Sequence, residues 1–140
     1  LILVGEGPLL NEMKDYVDSK GLTSNIDFLG QKNMKQLVEL YNESELFALN
    51  SFSEGFPKVI LEALACGCRI VSTKVGSVPE IMGRDYPYFI ENHSPKGIHD
   101  ALLKAANAES TEFVEYEGIP NRHTWENVRE IYINQYENNL

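Results

Sequence analysis

The fold is set by one stretch, Asn50-Ser51-Phe52-Ser53-Glu54-Gly55-Phe56-Pro57-Lys58-Val59-Ile60-Leu61-Glu62-Ala63-Leu64-Ala65-Cys66-Gly67. It has the pattern of a strand end, a tight turn and a helix. Pro57 suits the first helical position, where its missing N–H costs nothing and its φ is already helical. Gly67 suits the left-handed position after the last turn. The pattern therefore predicts free N–H groups on residues 58–60 at the carboxyl end of a strand, where α/β sheets bind anions.

Two carboxylates flank this helix start, Glu54 just before it and Glu62 inside it, eight positions apart. Carboxylates accept hydrogen bonds from hydroxyls, so a phosphate-binding helix start beside them indicates a sugar-nucleotide site. Each has a plainer alternative role. Glu54 could complement the helix dipole for ~0.3–1 kcal/mol, and from the residues alone that role is the stronger one. Glu62 could form an exposed ion pair with Lys58, worth a few tenths of a kcal/mol.

Length and composition narrow the function classes. The 140 residues match one domain, and a net charge of −9 argues against a nucleic-acid or membrane-surface binder. Cys66 and Cys68 are too close for an unstrained disulfide, so we expect buried thiols in a reducing compartment, and no residues group as metal ligands. No apolar run approaches the ~20 residues of a membrane span. The chain opens on an apolar strand without Met, and we expect it to belong to a longer protein.

Hydrophobic patterning predicts alternating strands and helices, hence a three-layer, Rossmann-like α/β domain over residues 1–140 with a parallel sheet. The first strand, 1–4, is expected to be buried on both faces, and Gly5-Glu6-Gly7-Pro8 turns from it into a helix that Pro8 opens. This turn lacks the third glycine of a dinucleotide-binding loop, because Leu10 stands there. The remaining predicted strands cover 25–29, 46–49, 69–72 and 86–90; the strand at 46–49 is expected to be buried and the last to lie at an edge. The remaining helices cover 35–42, 57–66, 79–83, 94–107 and about 124–138.

The order of the motifs resembles the family-4, or group 1, retaining glycosyltransferases, whose signature is two Glu residues separated by seven positions. The resemblance runs from Leu1 to Glu126, and it rests on Glu54-Gly55-Phe56-Pro57, Glu62-Ala63-Leu64-Ala65, Gly67, Arg69-Ile70-Val71-Ser72-Thr73 and Gly76-Ser77-Val78-Pro79-Glu80-Ile81. It implies the C-terminal, donor-binding domain of a GT-B enzyme. The reaction implied is retaining transfer of a sugar from a nucleoside diphosphate sugar, UDP being the expected nucleotide, without a metal cofactor.

The resemblance also implies roles for single residues. Glu54 would hold the transferred sugar and act as the catalytic carboxylate, and Glu62 would accept both ribose hydroxyls. Asn50 stands where the family usually has Pro, and Ser77 replaces the second of two glycines. The other donor contacts implied are Gly55, Phe56, Pro57, Lys58, Val59, Gly5, Gly7, Gln31 and Ser51.

The same resemblance suggests what lies elsewhere in the enzyme. An Arg and a Lys that neutralise the diphosphate, and the whole N-terminal acceptor domain, would precede Leu1, so this chain alone is expected to be inactive. We expect a bacterial enzyme of capsule or lipopolysaccharide synthesis, cytoplasmic or peripheral at the inner face of the membrane. Two alternatives stay open: a sugar-nucleotide 2-epimerase and a non-catalytic binding module. Arg69 and Lys74 are interpreted as surface residues, and Trp125 as a packing anchor for the final helix. The histidines His93, His99 and His123 are interpreted as surface or core residues.

Overall fold

The structure, a computed structural model, describes residues 1–108 and divides the chain into two compact units, 1–40 and 41–140. Strands and helices alternate in both units, and every strand pairing is parallel, which confirms the predicted α/β class. The predicted helix at about 124–138, with Trp125 and His123, lies outside the described residues, and a single domain over 1–140 stays a prediction. The elements are β1 (Ile2–Leu3), α1 (Leu10–Ser19), β2 (Asp27–Phe28), α2 (Met34–Asn42), β3 (Leu46–Leu49), α3 (Lys58–Ala65), β4 (Arg69–Thr73), α4 (Val78–Met82), β5 (Phe89–Ile90) and α5 (Pro95–Ala106).

The first unit is built on a two-stranded parallel pair. β1 lies beside β2, with Ile2 opposite Asp27 and Leu3 opposite Phe28. The prediction that the first strand is buried on both faces is wrong, because Ile2 is 41% exposed; a strand with one neighbour leaves an edge uncovered. The predicted helix start at Pro8 is also two residues early, since α1 begins at Leu10.

The second unit holds a three-stranded parallel sheet in the order β3-β4-β5. The middle strand, β4, carries the core, and its Ile70 and Val71 have no exposed surface. β3 lies at an edge, so Phe47 is half-buried and Ala48 exposed, where the sequence had indicated a buried strand. β5 forms the other edge, as predicted.

The ends of α3 show how its sequence fixes its limits. Gly67 has φ +83°; its N–H donates to the carbonyl of Leu64, and the N–H of Cys68 donates to that of Ala63, each at 3.0 Å. This pair of bonds is the Schellman motif, and the positive φ confirms the left-handed position predicted for Gly67. At the other end Pro57 is the N-cap residue, with φ −76° and ψ 92°, one position before the predicted place. Extended backbone at Pro57 lets the chain turn sharply from the loop into the helix.

Arg69 corrects a surface assignment. Its guanidinium is half-buried and donates to the carbonyls of Ala105 and Ala108 at the end of α5, the latter at 3.3 Å. A cation is favoured there by the dipole of the helix. The two cysteines are free thiols; Cys68 is buried and Cys66 half-buried.

Candidate functional site

The site predicted from the sequence lies at the turn between β3 and α3, at the carboxyl end of the strand. The helix begins at Lys58, after the loop that carries Glu54 and Gly55. The prediction of three free N–H groups is wrong at Ile60, whose N–H donates to the carbonyl of Pro57 at 3.0 Å. Within residues 1–108 the N–H groups of Lys58 and Val59 have no hydrogen-bond acceptor, so two donors remain for an anion.

Glu54 is held by its neighbour in the loop. The hydroxyl of Ser51 donates to Oε1 of Glu54 at 2.7 Å, and the carboxylate is half-buried. The carbonyl of Ser51 in turn accepts a hydrogen bond of 2.7 Å from the hydroxyl of Thr73, at the end of β4. The carboxylate is therefore oriented from two neighbouring strands, while Oε2 of Glu54 takes part in no hydrogen bond within the described residues.

A second loop, 74–77, presses against the backbone of the first. Gly76 has φ +51°, and a Cβ placed on it would lie 2.3 Å from the carbonyl oxygen of Gly55 and 2.4 Å from that of Glu54. The N–H of Ser77 donates to the carbonyl of Gly55 at 3.0 Å. Only glycine fits this close approach, so position 76 controls where the Glu54–Gly55 peptide lies. The order of motifs indicated Gly76, whereas Thr73 carried no sequence signal of its role.

Glu62 lies on α3 and is half-buried. Its Oε2 is 3.4 Å from the hydroxyl of Tyr41, near the end of α2. Burial and the adjacent Glu62 charge raise the pKa of Tyr41 to about 12, so this hydroxyl stays protonated and can only donate to the carboxylate. No ion pair joins Lys58 to Glu62 within the described part of the chain, so the plainer role for Glu62 has no support there.

Gly5, Gly7 and Gln31 belong to the first unit. The N–H of Gly5 donates to the carbonyl of Gly30 at 2.9 Å, which joins the loops that follow β1 and β2. Gly5 has φ +120° and an open space where a Cβ would be, and the exposed Gln31 follows Gly30 directly. The three residues therefore lie at the carboxyl edge of the β1–β2 pair, and the other predicted contacts belong to the second unit.

The remaining predicted contacts differ in what they expose. Phe56 is 44% exposed and Lys58 is exposed, whereas Pro57 is buried and Val59 half-buried, so Pro57 and Val59 offer backbone more than side chain. The sequence did not single out Phe52, which is 82% exposed and stacks on the ring of His93 with centroids 4.0 Å apart.

The described residues contain no group of three or more His, Cys, Asp or Glu side chains that could hold a metal ion. The same part of the chain has no helix with the length and apolar character needed to cross a membrane.

A family model described as glycosyl transferases group 1 matches residues 1–117. The chain is 33% identical over 105 residues to the N-acetyl-alpha-D-glucosaminyl L-malate synthase of Bacillus anthracis, covering 74% of the chain and 27% of that relative. It is 30% identical over 99 residues to the D-inositol 3-phosphate glycosyltransferase of Corynebacterium jeikeium, covering 70% of the chain and 24% of that relative.

A third relative comes from yeast. The GPI3 subunit of the phosphatidylinositol N-acetylglucosaminyltransferase of Saccharomyces cerevisiae is 22% identical over 141 residues, covering 98% of the chain and 31% of the relative. The chain thus spans about a third of the length of this relative, and less of the other two.

Proposed function

The chain belongs to the group 1 glycosyl transferases, and we propose that it is the donor-binding part of a longer enzyme of this family. That enzyme would transfer a sugar from a nucleoside diphosphate sugar to a glycan or lipid-linked acceptor, with retention of the anomeric configuration. The observation that carries the proposal is the turn before α3, where a carboxylate oriented by Ser51 precedes two backbone N–H groups that have no acceptor among residues 1–108.

The proposed division of labour follows the chemistry of a nucleotide sugar. Glu54 accepts hydrogen bonds from the hydroxyls of the transferred sugar, and its negative charge stabilises the positive charge that develops on that sugar in the transition state. The N–H groups of Lys58 and Val59 bind the diphosphate at the start of the helix. Glu62 accepts the two ribose hydroxyls. Gly5, Gly7 and Gln31 are proposed as further contacts to the donor.

We propose that UDP is the nucleotide and that no metal takes part. Support comes from the helix start, which supplies donors and a partial positive charge to the diphosphate without a cation. With a formal net charge of −9, the chain is poor in basic side chains, so the Arg and Lys that complete the diphosphate site are proposed to come from a strand and loop that precede Leu1 in the same enzyme.

The reaction is proposed to take place in the cytoplasm or at the inner face of the membrane, in the synthesis of a surface polysaccharide such as capsule or lipopolysaccharide. The free thiols of Cys66 and Cys68 support a reducing compartment.

The test is a calorimetric titration of UDP, GDP and ADP sugars into the unmodified chain and three variants. We expect Glu62→Ala and Glu54→Ala each to weaken binding ~10-fold or more, because hydrogen bonds to a charged group contribute about 1.5–3 kcal/mol. The matched control is Glu45→Ala, an exposed carboxylate at the amino end of β3, which should bind like the unmodified chain. Equal binding by all four proteins would contradict the proposed site.

A second experiment separates transfer from the two alternatives in the full-length enzyme. Free nucleotide should accumulate only when an acceptor glycan is added, since transfer couples release of the nucleotide to attack by an acceptor. An epimerase would change the configuration of the sugar and leave it attached to the nucleotide, so an altered nucleotide sugar formed without an acceptor and without free nucleotide would favour that alternative. Donor binding with neither release nor change of the sugar would favour a binding module.

A further inference from the structure

Tyr41 is a fixed residue. It is 7% exposed, its carbonyl accepts a hydrogen bond from the thiol of Cys68 at 3.1 Å, and its ring meets Phe47 edge-on, with centroids 5.6 Å apart. Burial, followed by the nearby Cys66, raises the pKa of the Cys68 thiol, so the thiol stays a neutral donor. Phe47 in β3 thus packs against the Tyr41 ring, while Cys68, just before β4, holds the Tyr41 backbone.

The hydroxyl of this fixed ring faces only one oxygen of the Glu62 carboxylate, Oε2, at 3.4 Å. That distance is longer than a relaxed O–H···O bond, so the hydroxyl and the carboxylate make a weak hydrogen bond. A carboxylate has about four lone-pair positions, so a bond from Tyr41 leaves enough for both hydroxyls of a ribose diol. A carboxylate anchored through one oxygen also loses less rotational freedom when the diol binds.

We propose that Tyr41 is a positioning residue for Glu62, holding Oε2 so that the carboxylate is presented to the ribose diol of the donor nucleotide. The inference rests on the proposed function, because it assigns Glu62 to the ribose. It adds a residue 21 positions away in sequence that would strengthen the preference for a ribonucleotide without touching the nucleotide.

The test compares a nucleotide with its 2′-deoxy counterpart. The probes are UDP and 2′-deoxy-UDP or, if the unmodified chain binds GDP or ADP better, the corresponding pair. Tyr41→Phe keeps the ring and removes only the hydroxyl. We expect it to weaken binding of the ribonucleotide ~3–10-fold and of the deoxynucleotide less than about 2-fold.

Tyr86→Phe is the matched control, because it also removes a buried hydroxyl, which donates to the carbonyl of Ile70 at 2.6 Å. This variant should lose stability and keep the full ribose preference. If Tyr41→Phe lowered both affinities equally, or neither, the positioning role would be overturned.

If the Tyr41→Phe variant did not fold, 3-fluorotyrosine at position 41 would replace it. The more acidic phenol is a stronger donor and should raise only the ribonucleotide affinity. No change with 3-fluorotyrosine would overturn the proposal.

Glu62→Ala separates failure of this inference from failure of the proposed function. If Glu62→Ala abolishes the ribose preference and Tyr41→Phe leaves it intact, the inference about Tyr41 is wrong and the ribose role of Glu62 stands. If Glu62→Ala leaves the preference intact, the proposed role of Glu62 is wrong and the inference falls with it.

Discussion

The two compact units use similar apolar strands and bury them very differently. Ile70 in β4 has strands on both sides and no exposed surface, whereas Ile2 in β1 pairs with one strand and is 41% exposed. Both residues lie in short apolar runs that predict a strand, and both are in strands. The comparison teaches that an apolar run sets the local conformation, while the order of strands in the sheet sets the burial. Glu54 and Glu62 lie in the second unit, whose sheet has the more deeply buried central strand.

Matched truncations in the two units test this difference most strongly. Ile70→Ala should lower the free energy of unfolding by about 2–5 kcal/mol, because it leaves a cavity in the core. Ile2→Ala should cost less than about 1 kcal/mol, because much of its surface is already in contact with water. Urea unfolding followed by circular dichroism measures both values, and equal losses would remove the contrast between the units.

One glycine with positive φ in each unit extends the comparison to the backbone. Gly76→Ala should cost about 3 kcal/mol and abolish donor binding, because its Cβ would overlap the carbonyls of Gly55 and Glu54 in addition to the strain of φ +51°. Gly5→Ala meets nothing within 4 Å and should cost only the backbone strain, about 1–2 kcal/mol. Unfolding and nucleotide titration check both variants. A Gly76→Ala protein that kept full affinity would show that the Glu54 loop does not depend on this contact.

Unfolding at alkaline pH tests the burial of Tyr41 in the second unit. A phenol whose pKa is raised to about 12 in the folded state, from 10.0, holds its proton more tightly when folded. Its contribution to stability is full below about pH 10 and is lost as the pH rises toward about 12. After allowance for solvent screening we expect a loss on the order of 1 kcal/mol. Denaturant titrations between about pH 9 and 12 should show a shallower decline for Tyr41→Phe, and parallel declines would be evidence against the shift.

Removing the charge of one exposed lysine in each unit should have the smallest effect on the free energy of unfolding, and the effect should be similar in both units. The Nζ of Lys14 lies 5.9 Å from the ring centroid of Phe28 in the first unit, and that of Lys74 lies 5.1 Å from the ring of Phe89 in the second. Exposed cation–π contacts contribute about 0.5–1 kcal/mol at most. Lys14→Met and Lys74→Met should therefore each change stability by less than about 1 kcal/mol. A much larger loss for Lys74→Met would indicate that its ion pair with Glu91 also matters.

Local signals predicted most of the architecture. The strand at 46–49 and the left-handed Gly67 were predicted correctly, because both depend on neighbouring residues and backbone stereochemistry. Pro57 was misplaced by one position, since a helix boundary depends on capping geometry that composition does not specify. The burial of β1 and β3 was wrong, because strand order is a property of the whole sheet.

The candidate site also contains residues that the sequence indicated and residues that only the structure shows. The order of motifs singled out Glu54 and Glu62, whose roles stay predictions. The groups that orient them could not be predicted, because Thr73 reaches Ser51 across 22 positions and Tyr41 reaches Glu62 across 21. Hydroxyl residues such as these are common in any sequence, and only the folded backbone shows which carbonyl or carboxylate each one meets.

The close approach of Gly76 to the Glu54–Gly55 peptide has a practical consequence for engineering donor choice. The two loops share a van der Waals surface without a side chain between them, so a change in one loop is transmitted directly to the other. A library that randomises positions 74–77 would mostly sample proteins with a displaced carboxylate at position 54. Diversity is better placed at Phe52 and Ser53, whose exposed side chains can change size and polarity while the backbone beneath them keeps its course.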